Sequence, residues 1–231
     1  MAYRGFMVVF SEPGSNVPIE EYHDWYNNLH IPGLIDTPVF QTWARWEAID
    51  GQQPSFAATY DVASHEEFME AWPGLWKRWS GPEQEKMEQF ELMDRRNLSV
   101  YPGAIHPPSA LFDATRPAEY ASFVSLEVKP EDEEEFNKWY DEEHIPMLAK
   151  VPGWVRSRRF VVEDVSQLGV SVTEQKRAPK YLAVHEWASP DAFVSPELKA
   201  SISTPLSVKM LDGALLKERR LMKLFRTWER K

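Results

Sequence analysis

The sequence predicts an α+β fold: two tandem ferredoxin-like (βαββαβ) repeats forming an intrachain α+β barrel with helices outside. Three observations carry this. Residues 20–46 reappear as residues 134–160, in register and without a gap, and ten of the 27 pairs are identical. Among them are Trp25/Trp139, Tyr26/Tyr140, His30/His144, Ile31/Ile145, Pro32/Pro146 and Arg45/Arg159, each displaced by 114 positions. Residues 56–68 (FAATYDVASHEEF) then echo residues 181–193 (YLAVHEWASPDAF) at a displacement of 125. Finally, strand-like and helix-like runs follow one another in the same β-α-β-β-α-β order in both halves. A lone unit of this kind covers one sheet face with helices and leaves the other bare, and two bare faces pressed together give a barrel-like core.

In the first half, residues 4–11 read as a strand (GFMVVFS) closed by the turn signal Glu12-Pro13-Gly14. Pro18 opens an amphipathic helix on which Ile19, Tyr22, Tyr26 and Leu29 share a face. That helix is expected to stop near His30, because Ile31 precedes Pro32 and is pushed out of the α region. Residues 39–48 and 55–62 read as strands. Ser64 caps a second helix carrying Phe68, Ala71 and Leu75, with Glu67 completing a capping box. Residues 88–101 supply the last strand. The second half runs through a strand at 121–129, a helix at 131–143, strands near 154–162 and 181–187, a helix near 191–200 and a final strand at 215–228. The first repeat is assigned to residues 1–101 and the second to 119–231, with a proline-rich linker at 102–118. Residues 164–179 have no counterpart in the first repeat and are polar enough to form a mobile flap.

Composition narrows the function classes. A net charge of -10 disfavours nucleic acid and anionic membrane surfaces, since phosphate contacts need clustered Lys and Arg. With no cysteine there is no disulfide, thiol nucleophile or thiolate-bound metal. No apolar run approaches a membrane span or a signal peptide, so the expected location is cytoplasmic. The ten tryptophans suit either an aromatic-lined cavity or an aromatic core. Phosphate-cradling glycine loops, dinucleotide fingerprints, nucleophile elbows and HExxH are all missing, which points to chemistry without a nucleotide cofactor or metal. The expected partner is a small hydrophobic or aromatic substrate. A homodimer is possible, although barrel closure within one chain removes the usual reason for one.

The candidate chemistry sits on the two WY-x3-HIP segments. Tyr26 and His30, like Tyr140 and His144, lie four residues apart on one helix face, so each pair joins a phenol to an imidazole suited to general acid/base work. A histidine that simply complements the carbonyl end of a helix is an equal alternative. Arg45 and Arg159 follow on the next strand, placed to hold an enolate, phenolate or carboxylate, or to salt-bridge at the surface. Asp141 precedes His144 by three residues and is positioned to orient it or keep it protonated, whereas Asn27 brings no charge. On that basis, and with both histidines exposed alike, His144 is expected to be the more basic and His30 the better placed as a neutral base. Trp76 and Trp79 are candidates for one wall of a cavity, and Tyr60 and His185, equivalent positions on a strand, are candidates for projecting into it.

The WY-(D/N)-x-x-HIP helix end, the V/T-P-G/V turn and the R-(F/W) strand resemble the EthD-like branch of the dimeric α+β barrel superfamily. Residues 139–159 carry the likeness most fully. The first copy departs from it with Asn27, Leu29 and Val39 where the second has Asp141, Glu143 and Gly153. A more distant similarity is to bacterial-type chalcone isomerase, a tandem barrel with a catalytic histidine in an H-I-P segment. Together these resemblances imply a cofactor-independent isomerase or lyase acting on an aromatic or polyketide-like molecule. In that scheme His30 moves the proton, Tyr26 binds the substrate oxygen and Arg45 stabilises negative charge, while His144, Tyr140 and Arg159 form a second site. Because some tandem barrels of this superfamily bind haem, a haem protein with His185 as ligand is the rival expectation, and a non-catalytic binding or accessory protein is the third.

Overall fold

A computed structural model describes residues 4–79 and 81–230, with the side chain of Trp79 outside that description. It is an α+β structure whose described residues form eight strands, paired antiparallel. The strands are β1 (Gly5–Glu12), β2 (Trp43–Ala48), β3 (Phe56–Val62), β4 (Leu92–Val100), β5 (Tyr120–Glu127), β6 (Trp154–Leu168), β7 (Tyr181–Trp187) and β8 (Leu216–Trp228). By contact density the chain divides into two units, residues 1–100 with 162–178 and 225–231, and residues 101–161 with 179–224. Among the described residues no helix is long and apolar enough to cross a membrane.

In the first unit β1 pairs with both β3 and β4, and β3 with β2, so the order is β4-β1-β3-β2. Its core is aromatic, with Tyr22, Tyr26, Phe40, Tyr60, Phe68 and Phe90 almost fully buried. The second unit repeats the arrangement: β5 pairs with β7 and β8, and β7 with β6, giving β8-β5-β7-β6. Phe136, Trp139, Tyr140, Tyr181 and Trp187 anchor its core.

The helix expected to end near His30 does not end there. After α1 (Ile19–Asp24) the chain makes a π-helical turn over Trp25–His30 and continues as α2 (Ile31–Ile35). The amide of Ile31 donates to the carbonyl of Tyr26, five residues back. This wider turn absorbs one extra residue and lets the chain stay helical through a proline, which a regular α-turn resists by steric clash. Pro32 then falls at the start of the next helical segment, where its missing N–H costs nothing. The first unit continues through α3 (His65–Trp79) and α4 (Pro82–Gln89), and the second copy repeats the π-turn device: α5 (Glu133–Trp139), a π-turn over Tyr140–His144 with Ile145 N–H donating to the Tyr140 carbonyl, and α6 (Ile145–Leu148).

Other differences are smaller. The Ser64 cap is present, its hydroxyl accepting from Glu67 N–H at 3.1 Å. The strand expected at 39–48 is reduced to a bridge between Phe40 and Val62 before β2 begins. The helix near 191–200 is a 3-10 turn (Pro190–Val194) followed by α7 (Pro196–Ser201), and α8 (Pro205–Gly213) was not foreseen. The expected flap is tethered: β6 extends to Leu168, and Val170 and Ser171 then donate to the carbonyls of Phe90 and Glu91 at 2.9 and 3.1 Å. Gly169 allows that approach, because a Cβ there would lie 2.6 Å from the Glu91 carbonyl oxygen.

Candidate functional site

The second unit contains a cavity of about 410 Å³, within the usual size for small-molecule sites, whose lining includes Tyr140, His144 and His185. The π-turn delivers the first two. His144 stacks on Trp139, five residues earlier, with ring centroids 4.5 Å apart, a pairing that an ordinary α-helix would rotate out of reach. Tyr140 meets His144 edge-on at 5.2 Å. His185 comes from β7, where alternation sends it to the same face as Trp187 and where it pairs with Ser122 of β5. Its ring lies 6.0 Å from that of His144 and 6.3 Å from that of Tyr140.

The hydrogen bonds define which ring nitrogens carry protons. His144 Nδ1 lies 3.3 Å from the Ser201 carbonyl, an oxygen that can only accept, so Nδ1 carries the proton and Nε2 keeps its lone pair. The same carbonyl accepts from Ser207 Oγ at 2.8 Å, and Ser207 Oγ accepts from Trp139 Nε1 at 3.0 Å, so one network fixes both stacked rings. His185 takes the opposite tautomer. Ser157 Oγ accepts from Trp154 Nε1 at 3.0 Å and lies 2.7 Å from His185 Nδ1, and the arrangement that gives the buried hydroxyl proton an acceptor is donation from Ser157 to that nitrogen. Nε2–H of His185 is therefore a donor, and among the described residues it is buried without a partner. Burial holds His144 down at about 4, with the charge of Arg159 adding to the effect and the Ser201 carbonyl opposing it. Burial, followed by His144, Arg159 and Arg219, pushes His185 well below the ordinary histidine value. Both rings are neutral near pH 7, one presenting a lone pair and the other an N–H.

The first unit is built differently at the equivalent positions. His30 stacks on Trp25 at 4.4 Å and meets Tyr26 edge-on at 5.5 Å, but its Nδ1 faces the Glu83 carboxylate at 3.3 Å. Burial lowers its pKa and Glu83 raises it. Where the second unit has His185, the first has Tyr60, buried against Phe40, with its phenol pushed up by burial. Trp72 and Trp76 lie tilted to one another with ring centroids 5.8 Å apart and pack on the core of this unit. Trp79, the other proposed wall residue, has its side chain outside the described residues.

The two arginines do not line the cavity. Arg159 donates to Asp141 Oδ1 at 3.1 Å and lies 4.0 and 4.3 Å over the rings of Tyr101 and Tyr140. Asp141 is thus held by Arg159 and by the Ala104 amide, not by His144. The expectation that Asp141 would make His144 the more basic histidine fails for this reason: an adjacent guanidinium cancels the carboxylate, and desolvation dominates. Arg45 is 1% exposed and donates to Asn27 Oδ1 at 2.8 Å and His23 Nδ1 at 3.2 Å, over the rings of Tyr26 and Tyr22 at 4.4 and 5.1 Å. Among the described residues no carboxylate pairs with it, because Asn27 replaces the aspartate of the other copy.

Haem requires a ligand nitrogen without a proton. At His185 that would mean moving the proton to Nδ1 and leaving the Ser157 hydroxyl proton buried without an acceptor. The donor set present fits an acceptor oxygen rather than iron. Among the described residues no group of three or more His, Asp or Glu is gathered to hold a metal.

Comparison with known proteins gives a fold relationship. No family model matches the sequence. No curated protein matches it. Solved structures do match along nearly the whole chain. An anthrone oxidase-like protein superposes with TM-score 0.57 at 13% identity, covering 99% of this chain and 93% of its own. A Fusobacterium nucleatum protein provisionally named a monooxygenase gives 0.58 at 9%, covering 99% and 96%. A haem-binding protein from Thermus thermophilus gives 0.52 at 11%, covering 98% and 92%. These likenesses, all at 13% identity or less, show a shared fold.

The Asn27/Asp141 difference yields a direct test by chemical denaturation. Asp141→Asn removes the charged partner of a buried guanidinium, leaving its bond to Asn137 Oδ1 at 2.5 Å, and should cost about 1–3 kcal/mol. Asn27→Asp supplies one to Arg45 and should raise the midpoint at pH 7, with the gain disappearing as the new carboxylate is protonated at low pH. Equal, small effects of both substitutions would show that the charge difference is immaterial.

Proposed function

We propose that this protein is a cofactor-independent enzyme that moves a proton on a hydrophobic, aromatic small molecule, with its working site at the cavity of the second unit. The observation that carries this reading is the pair of opposed tautomers: a lone pair on His144 and an unpartnered N–H on His185 at one cavity wall. In this mechanism His185 Nε2–H binds a carbonyl or phenolic oxygen of the substrate. His144 Nε2 accepts a proton from the neighbouring carbon or hydroxyl. Negative charge grows on the oxygen held by His185 as positive charge grows on His144, so the two charges stabilise each other in a site from which burial has removed most water. That pairing offsets the weak intrinsic basicity of an imidazole at about 4. Tyr140 packs against both rings and maintains their spacing.

Enolisation followed by isomerisation or elimination is the reaction class that this pair serves most simply, in keeping with the EthD-like and chalcone isomerase resemblances. The names of the structural neighbours include an anthrone oxidase-like protein and a monooxygenase, which supports a hydrophobic small-molecule substrate without fixing the reaction. Relative to the scheme centred on His30, Tyr26 and Arg45, the proton-moving role passes to His144. His30 is occupied by Glu83, and its half carries Tyr60 where the second half carries the donor imidazole. The division of the chain into two ferredoxin-like repeats is supported by the shared strand order of the two units.

Turnover of a panel of flavonoids, phenolic ketones and small polyketides tests the assignment. His144→Gln should lower kcat/KM by about 10²–10⁴-fold for whichever compound reacts, and His30→Gln should change it far less. As far as His144 sets the profile, activity should be flat from pH 5 to 8 and fall only near pH 4, since protonation removes the lone pair. An acid limb between pH 6 and 7, or an undiminished His144→Gln variant, would remove His144 from the mechanism.

The second reading is a haem protein, suggested by the haem-binding neighbour and by a buried His185 Nε2 with no hydrogen-bond partner among the described residues, although its tautomer has to change for it to bind iron. Adding haemin to the protein decides it. The tautomer argument predicts no Soret band that depends on His185, and a band lost in His185→Ala would establish the haem reading instead.

A further inference from the structure

The geometry points to an anionic substrate: we infer that the cavity takes an amphipathic aromatic acid, with its oxygen at His185 and its carboxylate at Lys217 and Lys199. This inference rests on the cavity being the ligand site. The chain has 36 acidic and 26 basic residues, yet the cavity lining contains Lys199, Lys217 and Arg219 and no carboxylate. A wall that carries cations and no Asp or Glu in so acidic a protein attracts anions and disfavours cations. Lys199 pairs with no carboxylate among the described residues, and Lys217 Nζ only touches the Leu211 carbonyl at 3.2 Å.

Strand register sets the spacing. Ser122 of β5 pairs with His185 on one side. On the other side of β5, Val124 pairs with Arg219 and Leu126 with Lys217. Positions 122, 124 and 126 share one sheet face, and each step of two residues advances about 7 Å. The rows therefore carry a neutral donor, then a cation about 7 Å along, then a second about 14 Å along. Leu148, Trp187, Phe193 and Leu211 line the apolar remainder. A flat molecule of two or three fused rings, with an oxygen at one end and a carboxylate at the other, matches that sequence of donor, grease and cation.

Isothermal titration of the full chain with 6-hydroxy-2-naphthoic acid and with its methyl ester tests the inference. The acid should bind about ten-fold more tightly than the ester at low salt, with the preference shrinking as salt screens the cations. The Lys199→Gln/Lys217→Gln variant should bring the acid down to the level of the ester. Both lysines are exposed, so an unchanged melting temperature serves as the check on folding. Equal affinities for acid and ester would overturn the anionic substrate while leaving the cavity as the binding site, and a preference that survives in the double variant would overturn the placing of the carboxylate at Lys199 and Lys217. If neither compound binds, the cavity reading itself fails and the inference falls with it.

Discussion

A single backbone hydrogen bond in each unit, from the amide after the histidine to the tyrosine carbonyl five residues earlier, governs the placement of the chemistry. Ile145 donates to Tyr140 and Ile31 to Tyr26, opening a π-turn where an α-turn would have run into the proline. The extra residue turns the histidine beneath the tryptophan, giving stacking distances of 4.5 and 4.4 Å in the two copies. Without that turn His144 would lose both its Trp139 platform and its reach to the Ser201 carbonyl, and with them its tautomer. Such bulges recur at functional sites because they aim side chains that a regular helix cannot.

On this shared scaffold the two copies diverge through a few charges and hydrogen bonds. Asp141 neutralises Arg159, whereas Asn27 leaves Arg45 supported by neutral acceptors and aromatic faces. His185 provides a free N–H in one unit, and Tyr60 fills the same strand position as core in the other. Ser201 accepts from His144, while Glu83 faces His30. Each difference alters what the histidine can do: a neutral carbonyl partner leaves a lone pair available, whereas a carboxylate partner favours the protonated ring.

Much of this was legible in the sequence. The repeated WY-x3-HIP segment marked both histidines, and the second echo marked position 185 beside position 60. Strand positions near 56–62, 181–187 and 216–228 followed from β-type runs and turn residues. The π-turn was not legible, because the rule that a residue before proline leaves the α region holds for regular helices and gives no sign of a widened turn. Ser157 and Ser201 were invisible for another reason. One acts through a hydroxyl supplied from a neighbouring strand and the other through its backbone carbonyl, and neither leaves a local pattern. The fate of Asp141 depended on Arg159, 18 positions away, whose approach only the tertiary fold determines.

The central claim, that two neutral imidazoles of opposite tautomer face one cavity, is tested most directly by nitrogen-15 NMR of histidine-labelled protein at pH 6 to 8. The six histidines can be assigned by single substitution. The account predicts a pyrrole-type Nδ1 and pyridine-type Nε2 for His144, the reverse for His185, and no change for either across that range. Two identical tautomers, or a histidine among this pair that titrates near 6.5, would contradict it.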